Sequence, residues 1–127
     1  MSDTTKTLPE MIVVAAEDKK ATDVVILDVS GASSVTDSFV VCSAKSTTQV
    51  QAIADHIEDE LRKQGIPMLH KEGHRQGRWI LLDFGTSIAH IFVEEEREYY
   101  NLERLWGNAR QIALADDESA NQEEESE

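Results

Sequence analysis

The sequence predicts a mixed α/β fold, with about five strands in one sheet and helices packed against it. Helical periodicity recurs in three segments, and five short runs rich in β-branched residues lie between them. Along the chain the order is helix, two strands, helix, three strands and helix, which is typical of a mixed sheet with packed helices. The length of 127 residues and the hydrophobic content of 40% fit one compact domain.

The first two helices have the clearest signals. Over Leu8–Lys20 apolar residues recur at helical spacing, and Pro9 suits a first turn, where its missing N–H is no loss. Ser46 followed by Gln49 predicts a capping box at the start of the second helix, and Gly65 predicts a left-handed residue at its end. The predicted buried stripe of this helix consists of Val50, Ile53, Ala54, Ile57 and Leu61.

Short apolar runs bounded by turn residues predict five strands. Gly85-Thr86 suits a two-residue type II′ hairpin, and this turn places Trp79 opposite Phe92. On the same face it places Leu81 opposite His90. Because both faces of the pair are largely apolar, we expect helices on both faces or a partner on part of one. The five predicted strands are Val24–Val29, Ser38–Ala44, Met68–Glu72, Trp79–Phe84 and Ser87–Val93.

Charge divides the chain into two parts. The formal net charge is −13, but seven acidic residues fall within the last twelve positions, which leaves −6 on the rest. This acidic end has no apolar periodicity, so we expect residues 113–127 to form a disordered tail and residues 1–112 to form the domain. An acidic domain disfavours sequence-specific or general nucleic-acid binding, which depends on basic side chains, and favours a basic protein partner.

The cysteine count and the N-terminal segment indicate a compartment. Cys42 is the single cysteine, so no internal disulfide forms, and its apolar neighbours indicate a structural thiol in a reducing compartment. The first ten residues lack a secretory apolar core, and no apolar run approaches the roughly 20 residues of a membrane-spanning helix. We therefore expect a cytoplasmic protein with no membrane partner.

Motifs for catalysis, cofactors and metals are weak. His70, Glu72 and His74 have the spacing of zinc ligands on one strand face, but Gly73 interrupts them, and an exposed loop explains them better. Neither Asp28 nor Asp83 has a second acid spaced to form the metal-bridging pair of nucleotidyl transfer, and no phosphate-binding loop or nucleophile motif occurs. These absences favour a protein that is not an enzyme and that has no catalytic residue, cofactor or metal.

The third predicted helix, Glu94–Gly107, has two distinct sides. Tyr99, Leu102 and Trp106 form the stripe expected to dock on the sheet. Arg97, Tyr100 and Arg104 lie on another side, and Tyr and Arg are enriched among the residues that dominate binding at protein interfaces. The alternative is a solvated face with local ion pairs to Glu94, Glu96 or Glu103. Before the hairpin, Lys71, Arg75 and Arg78 predict a basic rim beside Trp79.

The segments EGHRQGRWILLDFGTSIAHIF and EREYYNLERLW resemble the Iojap-like proteins, also called RsfS or ribosomal silencing factors. The family pattern reads Glu-Gly, then Trp, Asp, Gly, His and Phe, then Arg-x-Tyr-Tyr-x-Leu-Glu-x-Leu-Trp. Asp37-Ser38-Phe39 and Gln49 also fit, and the likeness runs from about Leu8 to Ile112. The pattern falls on Glu72, Gly73, Trp79, Asp83, Gly85, His90, Phe92, Arg97, Tyr99, Tyr100, Leu102, Glu103, Leu105 and Trp106.

The resemblance implies a translation repressor that binds the large ribosomal subunit through ribosomal protein L-fourteen and blocks joining of the small subunit. It also implies a link to ribosome biogenesis, a possible homodimer, and a nucleotidyltransferase-like topology without the catalytic acids. Two alternatives remain open. One is a nucleotide-binding enzyme of the nucleotidyltransferase type with a degenerate site, and the other is a scaffold that self-associates through its apolar sheet face.

On this reading the partner-binding residues are concentrated on the hairpin. Trp79 and Leu81 are the expected apolar anchors, with His90 and Phe92 beside them. The alternative for Trp79 is packing under a helix. The charged and C-terminal members of the predicted set are Glu72, Asp83, Arg97 and Tyr100.

Overall fold

The computed structural model describes residues 6–31, 33–100 and 110–112, and for residues 98–100 and 110–112 it describes the backbone alone. The predicted tail, residues 113–127, lies outside the described residues. Within them, helices and one sheet confirm the mixed α/β fold. The helices are α1 (Leu8–Asp18), α2 (Thr47–Lys63) and α3 (Glu94–Tyr100). The strands are β1 (Thr22–Asp28), β2 (Ser38–Ala44), β3 (His70–Glu72), β4 (Trp79–Asp83), β5 (Ser87–Val93) and β6 (Arg110–Ile112).

The starts of α1 and α2 are capped in different ways. Thr7 caps α1 with a full capping box, because Glu10 N donates to Thr7 Oγ1 and Thr7 N donates to Glu10 Oε1. In α2, Ser46 Oγ accepts from Gln49 N at 3.1 Å, as predicted. The Gln49 side chain, however, accepts from Lys45 N at 3.2 Å and not from Ser46 N. The box predicted for α2 is therefore half formed, and the complete one opens α1.

The end and the buried stripe of α2 follow the prediction. Gly65 has a φ of +83°. The N–H of Ile66 donates to Leu61 O at 2.9 Å and that of Gly65 to Arg62 O at 3.0 Å, which is the Schellman arrangement. Burial of each large apolar side chain in the stripe contributes about 1.5–3 kcal/mol relative to exposure. All five predicted members are buried: Val50, Ile53, Ala54, Ile57 and Leu61.

The sheet has the order β3-β4-β5-β2-β1-β6. Its central pair, β2 and β5, is parallel, and the other neighbouring strands are antiparallel. At the start of this central pair Ser38 lies opposite Ser87, and their hydroxyl oxygens are 2.7 Å apart. The backbone N–H groups of Asp37 and Ser38 both donate to Thr86 O, at 2.9 and 3.1 Å. The hairpin turn is thereby joined to the start of β2.

The β4–β5 hairpin has the predicted register. Trp79 pairs with Phe92 and Leu81 with His90, and Gly85 at the first turn position has a φ of +97°. Since side chains alternate along a strand, Trp79, Leu81 and Asp83 point to one face of the sheet. Their partners on β5, which are Phe92, His90 and Ile88, point to the same face.

The two faces of the sheet carry two clusters of buried side chains. On the helix-covered face, residues such as Ile26, Val40 and Ile91 form one core with α1 and α2. The opposite side, which we call the aromatic face, bears Val25, Leu27, Val29, Phe39, Val41, Trp79, Ile88 and Phe92, with His90 among them. The central strand β2 is buried along its whole length, so side chains from both of its faces are withdrawn from water.

Cys42 belongs to the helix-covered core, with 1% of its surface exposed. Burial raises the pKa of its thiol to about 12, against a smaller opposing effect of Arg97. The thiol is therefore protonated at neutral pH, as expected for a structural cysteine.

Several elements differ from the sequence prediction. α1 ends at Asp18 and not at Lys20, and β4 ends at Asp83 and not at Phe84. β1 begins at Thr22, and its register with β2 shifts between Thr22 and Val25, where Asp23 has a φ of +52°. β3 is shorter than predicted, because it begins at His70 and not at Met68. Residues 110–112 form β6 against β1, a strand that the sequence analysis did not assign. The predicted remainder of the third helix, residues 101–107, lies outside the described residues.

Candidate partner-binding surface

Among the described residues, Trp79 on β4 is held by one stacking contact and one hydrogen bond. Its ring stacks on Phe92 with centroids 4.9 Å apart and an interplanar angle of 28°. Its Nε1–H donates to His90 Nδ1 at 3.0 Å. The side chain is nevertheless only partly buried. An indole with a fixed orientation and an accessible part is suited to contact a second surface.

His90 lies beneath this ring with 5% of its surface exposed. It meets Phe39 edge to face, with centroids 4.7 Å apart. Burial lowers the pKa of His90 to about 4, so the imidazole is neutral at pH 7. Because Nδ1 accepts a hydrogen bond from the indole N–H, the proton of the neutral imidazole is on Nε2. Nε2 is buried and has no hydrogen-bond partner among the described residues.

Leu81 and Asp83 continue the β4 side of the aromatic face, and both are partly buried. Leu81 is in register with His90, and Asp83 is in register with Ile88, which is also partly buried. Asp83 Oδ1 accepts from Gly85 N at 2.8 Å, so the carboxylate also stabilises the hairpin turn. The accessible apolar part of the face therefore includes Trp79, Leu81 and Ile88.

Glu72 lies on the edge strand β3, opposite Leu81, and is exposed. Its Oε2 is 2.7 Å from His70 Nε2. His74 contacts a different acid, with its Nε2 2.8 Å from Asp55 Oδ1. The three residues with zinc-ligand spacing therefore do not converge. In the part of the chain that the structure describes, no group of three or more His, Cys, Asp or Glu residues is placed to hold a metal ion.

The three residues of the predicted basic rim make separate contacts within the molecule. Lys71 pairs in register with Leu82, on the helix-covered side, and its Nζ bonds Glu58 of α2 at 3.1 Å. The loop after β3 is held against α2, because Gln51 Nε2 donates to the carbonyls of His74 and Arg75 at 2.8 and 3.1 Å. Arg78 Nε is 3.5 Å from Glu96 Oε2.

Arg97 of α3 binds within its own molecule. Its Nη1 donates to Asp23 O at 2.6 Å and lies 3.3 Å from Ser43 Oγ. The accepting carbonyl is exposed where Asp23 adopts a positive φ, in the irregular part of β1. This contact attaches α3 to the β1–β2 end of the sheet. Tyr100, predicted on the same side of the helix as Arg97, has a side chain outside the described residues.

The structure thus brings Trp79, Leu81, His90 and Phe92 together on one face. His90 and Phe92, at 5% and 0% exposure, lie beneath the accessible residues. The Trp79–His90 hydrogen bond was not predicted from the sequence. The predicted register contained its signal, because an indole and an imidazole on neighbouring pairs of one face are within reach of each other.

None of the helices in the described part of the chain combines the length and the apolar run that a bilayer crossing requires.

Comparison with known proteins connects this geometry to a family. A family model described as "ribosomal silencing factor during starvation" matches residues 2–127. The ribosomal silencing factor RsfS of Halalkalibacterium halodurans is 44% identical over 107 residues, covering 84% of this chain and 92% of the relative. That of Bacillus subtilis is 43% identical over 104 residues, covering 82% and 88%. A crystal structure of a Chromobacterium violaceum protein has a TM-score of 0.77 at 33% identity, covering 79% of this chain and 83% of that one. The chain described here therefore belongs to the RsfS family of ribosomal silencing factors.

Proposed function

We propose that this chain is a ribosome-associated translation silencer whose aromatic face binds ribosomal protein L-fourteen on the large ribosomal subunit. The observation that carries the proposal is the partial exposure of Trp79 and Leu81 on a largely buried apolar face. Family membership supports the ribosome as partner, since relatives of more than 40% identity are named ribosomal silencing factors. A few residues near the centre of a contact provide most of its binding energy, and tryptophan is enriched among them.

Charge supports a basic protein partner. The chain carries a net charge of −13, and Glu72 and Asp83 share the face of the sheet that bears Trp79 and Leu81. Ribosomal proteins are commonly basic, so complementary charge increases the rate of encounter and disfavours acidic competitors. Glu72 and Asp83 are the proposed contacts for basic side chains at the border of the apolar patch.

The proposed mechanism is occupancy, with no bond made or broken. A bound factor fills the space that the small subunit needs, so the concentration of large subunits able to join falls with the fraction occupied. The proposed role is therefore not enzymatic, and it acts where subunits join, in the cytoplasm. A second copy of the chain on the same face would compete with the ribosomal protein, so in this proposal a homodimer and the subunit complex exclude each other.

The remaining predicted residues have supporting roles in this proposal. Phe92 and His90 lie below the contact and set the position of Trp79 above them. Arg97 fixes α3, the helix that also carries Tyr100, against the sheet beside the aromatic face. We therefore propose that Arg97 contributes through the placement of α3.

Sedimentation with separated ribosomal subunits tests the proposal. Wild-type protein is expected to sediment with free large subunits and to reduce the formation of joined ribosomes when small subunits are added. Trp79→Ala and Leu81→Ala are each expected to weaken this binding by about 30-fold or more, as for residues worth about 2 kcal/mol at an interface. Leu69→Ala is the matched control, because Leu69 is 64% exposed and precedes β3 at a position that alternates to the other face.

Unfolding curves measured in parallel separate loss of binding from loss of the fold. If folded Trp79→Ala and Leu81→Ala bind large subunits as tightly as the wild type, the aromatic face is not the contact surface. If the wild-type protein does not sediment with large subunits at all, the proposed function itself is wrong.

A further inference from the structure

Among the described residues, Phe92 and His90 hold the Trp79 indole in complementary ways. Stacking on Phe92, with centroids 4.9 Å apart, sets the plane of the indole. A stacked indole could still flip by half a turn about its Cβ–Cγ bond, which keeps the plane of the ring and moves the N–H to the opposite edge. The hydrogen bond from Nε1 to His90 Nδ1, at 3.0 Å, removes that freedom by fixing the edge that carries the N–H. Two contacts of different geometry therefore determine one orientation of a partly exposed ring.

His90 is itself prevented from turning away. Phe39 packs edge to face against it with an interplanar angle of 73°, and its strand neighbours are Val41 on β2 and Leu81 on β4. The ring is 5% exposed, so water does not replace the indole as the partner of Nδ1 at low cost.

The second ring nitrogen of His90, Nε2, shows that the histidine is not explained by stability alone. Nε2 must carry the proton when Nδ1 accepts, and that N–H is buried with no partner among the described residues. An unpaired buried donor opposes folding, so stability alone does not account for a histidine at this position. An aliphatic or phenyl side chain would fill the same space without that cost. What histidine adds is an acceptor aimed at the indole N–H.

We propose that His90 is the positioning residue of the aromatic face, whose neutral Nδ1 holds the Trp79 indole in the orientation that docks the ribosomal partner. This inference rests on the proposed function for its docking step, while the positioning step concerns the free protein alone. Protonation of Nδ1 would place two N–H donors against each other and break the bond. The charged or titratable groups that share this face of the described sheet are His70, Glu72 and Asp83 toward its edge, with Arg97 at Ser43 and Glu94 at the neighbouring Thr22.

Two substitutions separate the acceptor from the volume of the ring. His90→Phe keeps a planar ring and removes the acceptor. His90→Asn places an amide oxygen near the position of Nδ1, does not titrate, and keeps the hydrogen bond. Both are made in the full chain, and urea unfolding confirms that each variant is folded before it is compared.

The direct readout is the indole N–H resonance of Trp79 in proton–nitrogen correlation spectra, assigned by comparison with Trp106→Phe, which removes the other tryptophan signal. In the wild type this N–H is expected downfield and protected from solvent exchange. His90→Phe is expected to move it upfield and to accelerate exchange, and His90→Asn to retain both properties. On acidification the wild-type resonance should shift with a midpoint near pH 4, following the His90 pKa of about 4, and the Asn variant should lack this step.

Binding to purified large subunits at pH 7.5 then tests the docking step. His90→Phe is expected to weaken it by roughly 5- to 10-fold, as for the loss of one hydrogen bond, and His90→Asn to restore it. An unchanged indole resonance in His90→Phe would overturn the positioning role, whatever the binding result. Loss of binding in His90→Asn equal to that in His90→Phe would overturn the docking step. If the resonances behave as expected but wild-type protein binds no subunit, positioning stands and the proposed function fails.

Discussion

The hydroxyl pair at the start of the central parallel strands gives a measurable test of how the sheet is held together. Ser38 and Ser87 are 6% and 1% exposed, and their oxygens lie 2.7 Å apart. Replacing either one by alanine leaves the other hydroxyl buried without this partner, which costs about 1–3 kcal/mol. We therefore expect Ser38→Ala and Ser87→Ala each to lower the free energy of unfolding by about 2 kcal/mol.

The double variant Ser38→Ala/Ser87→Ala shows whether the effects of the two hydroxyls are coupled. With both hydroxyls gone, no polar group is left unpaired, so the expected loss is about 1 kcal/mol, well below the roughly 4 kcal/mol of independent effects. Urea unfolding followed by far-ultraviolet circular dichroism measures all three variants. Ser34→Ala is the control, because Ser34 is exposed and should change stability by less than about 0.5 kcal/mol. A double variant that loses as much as the two single variants together would refute the coupling.

Three further predictions concern buried or tightly packed groups. The pKa of His90 is about 4 in the folded protein and about 6.5 in the unfolded chain, so the unfolded chain binds a proton on this imidazole more readily. The free energy of unfolding should therefore fall as the pH drops from above 6.5 toward 4, by about 2 kcal/mol at pH 5. His90→Asn should lose that part of the pH dependence when urea unfolding is measured at several pH values. If its free energy of unfolding varies with pH as in the wild type, His90 is not the group responsible. Gly73→Ala should lower the free energy of unfolding, measured by thermal unfolding, by at least about 2 kcal/mol, because φ is +81° and a Cβ would overlap the Trp79 carbonyl oxygen. The control Gly31→Ala, where a Cβ would enter open space, should change it little. The buried Cys42 thiol should react with a disulfide reagent at pH 8 only as fast as the protein opens, and rapid labelling of folded protein would contradict its burial.

Local signals predicted the parts of the fold that local interactions determine. The α2 stripe follows from spacing within one helix, and the register of the hairpin follows from a two-residue turn at Gly85. The parallel pairing of β2 with β5 joins Ser38 to Ser87 across a long stretch of chain, and neither strand carries a mark that selects its neighbour. The short β6 has too few residues for a period to be detected.

The candidate site divides in the same way. The shared face of Trp79 and His90 follows from strand alternation, but the hydrogen bond between them depends on side-chain rotamers that a sequence pattern does not specify. Arg97 was expected to face outward. It turns inward because Asp23 adopts a positive φ that presents its carbonyl, and aspartate gives only a weak signal for that backbone conformation.

The outer strand β3 affects how these molecules behave in concentrated solution. It has three residues, His70, Lys71 and Glu72, and all are exposed. A short, charged outer strand is a poor template for an incoming strand from another chain, so it disfavours edge-to-edge association of sheets into polymers and fibrils. Growth of the sheet along this side is therefore unfavourable, which leaves its broad surface as the better place for another polypeptide to attach.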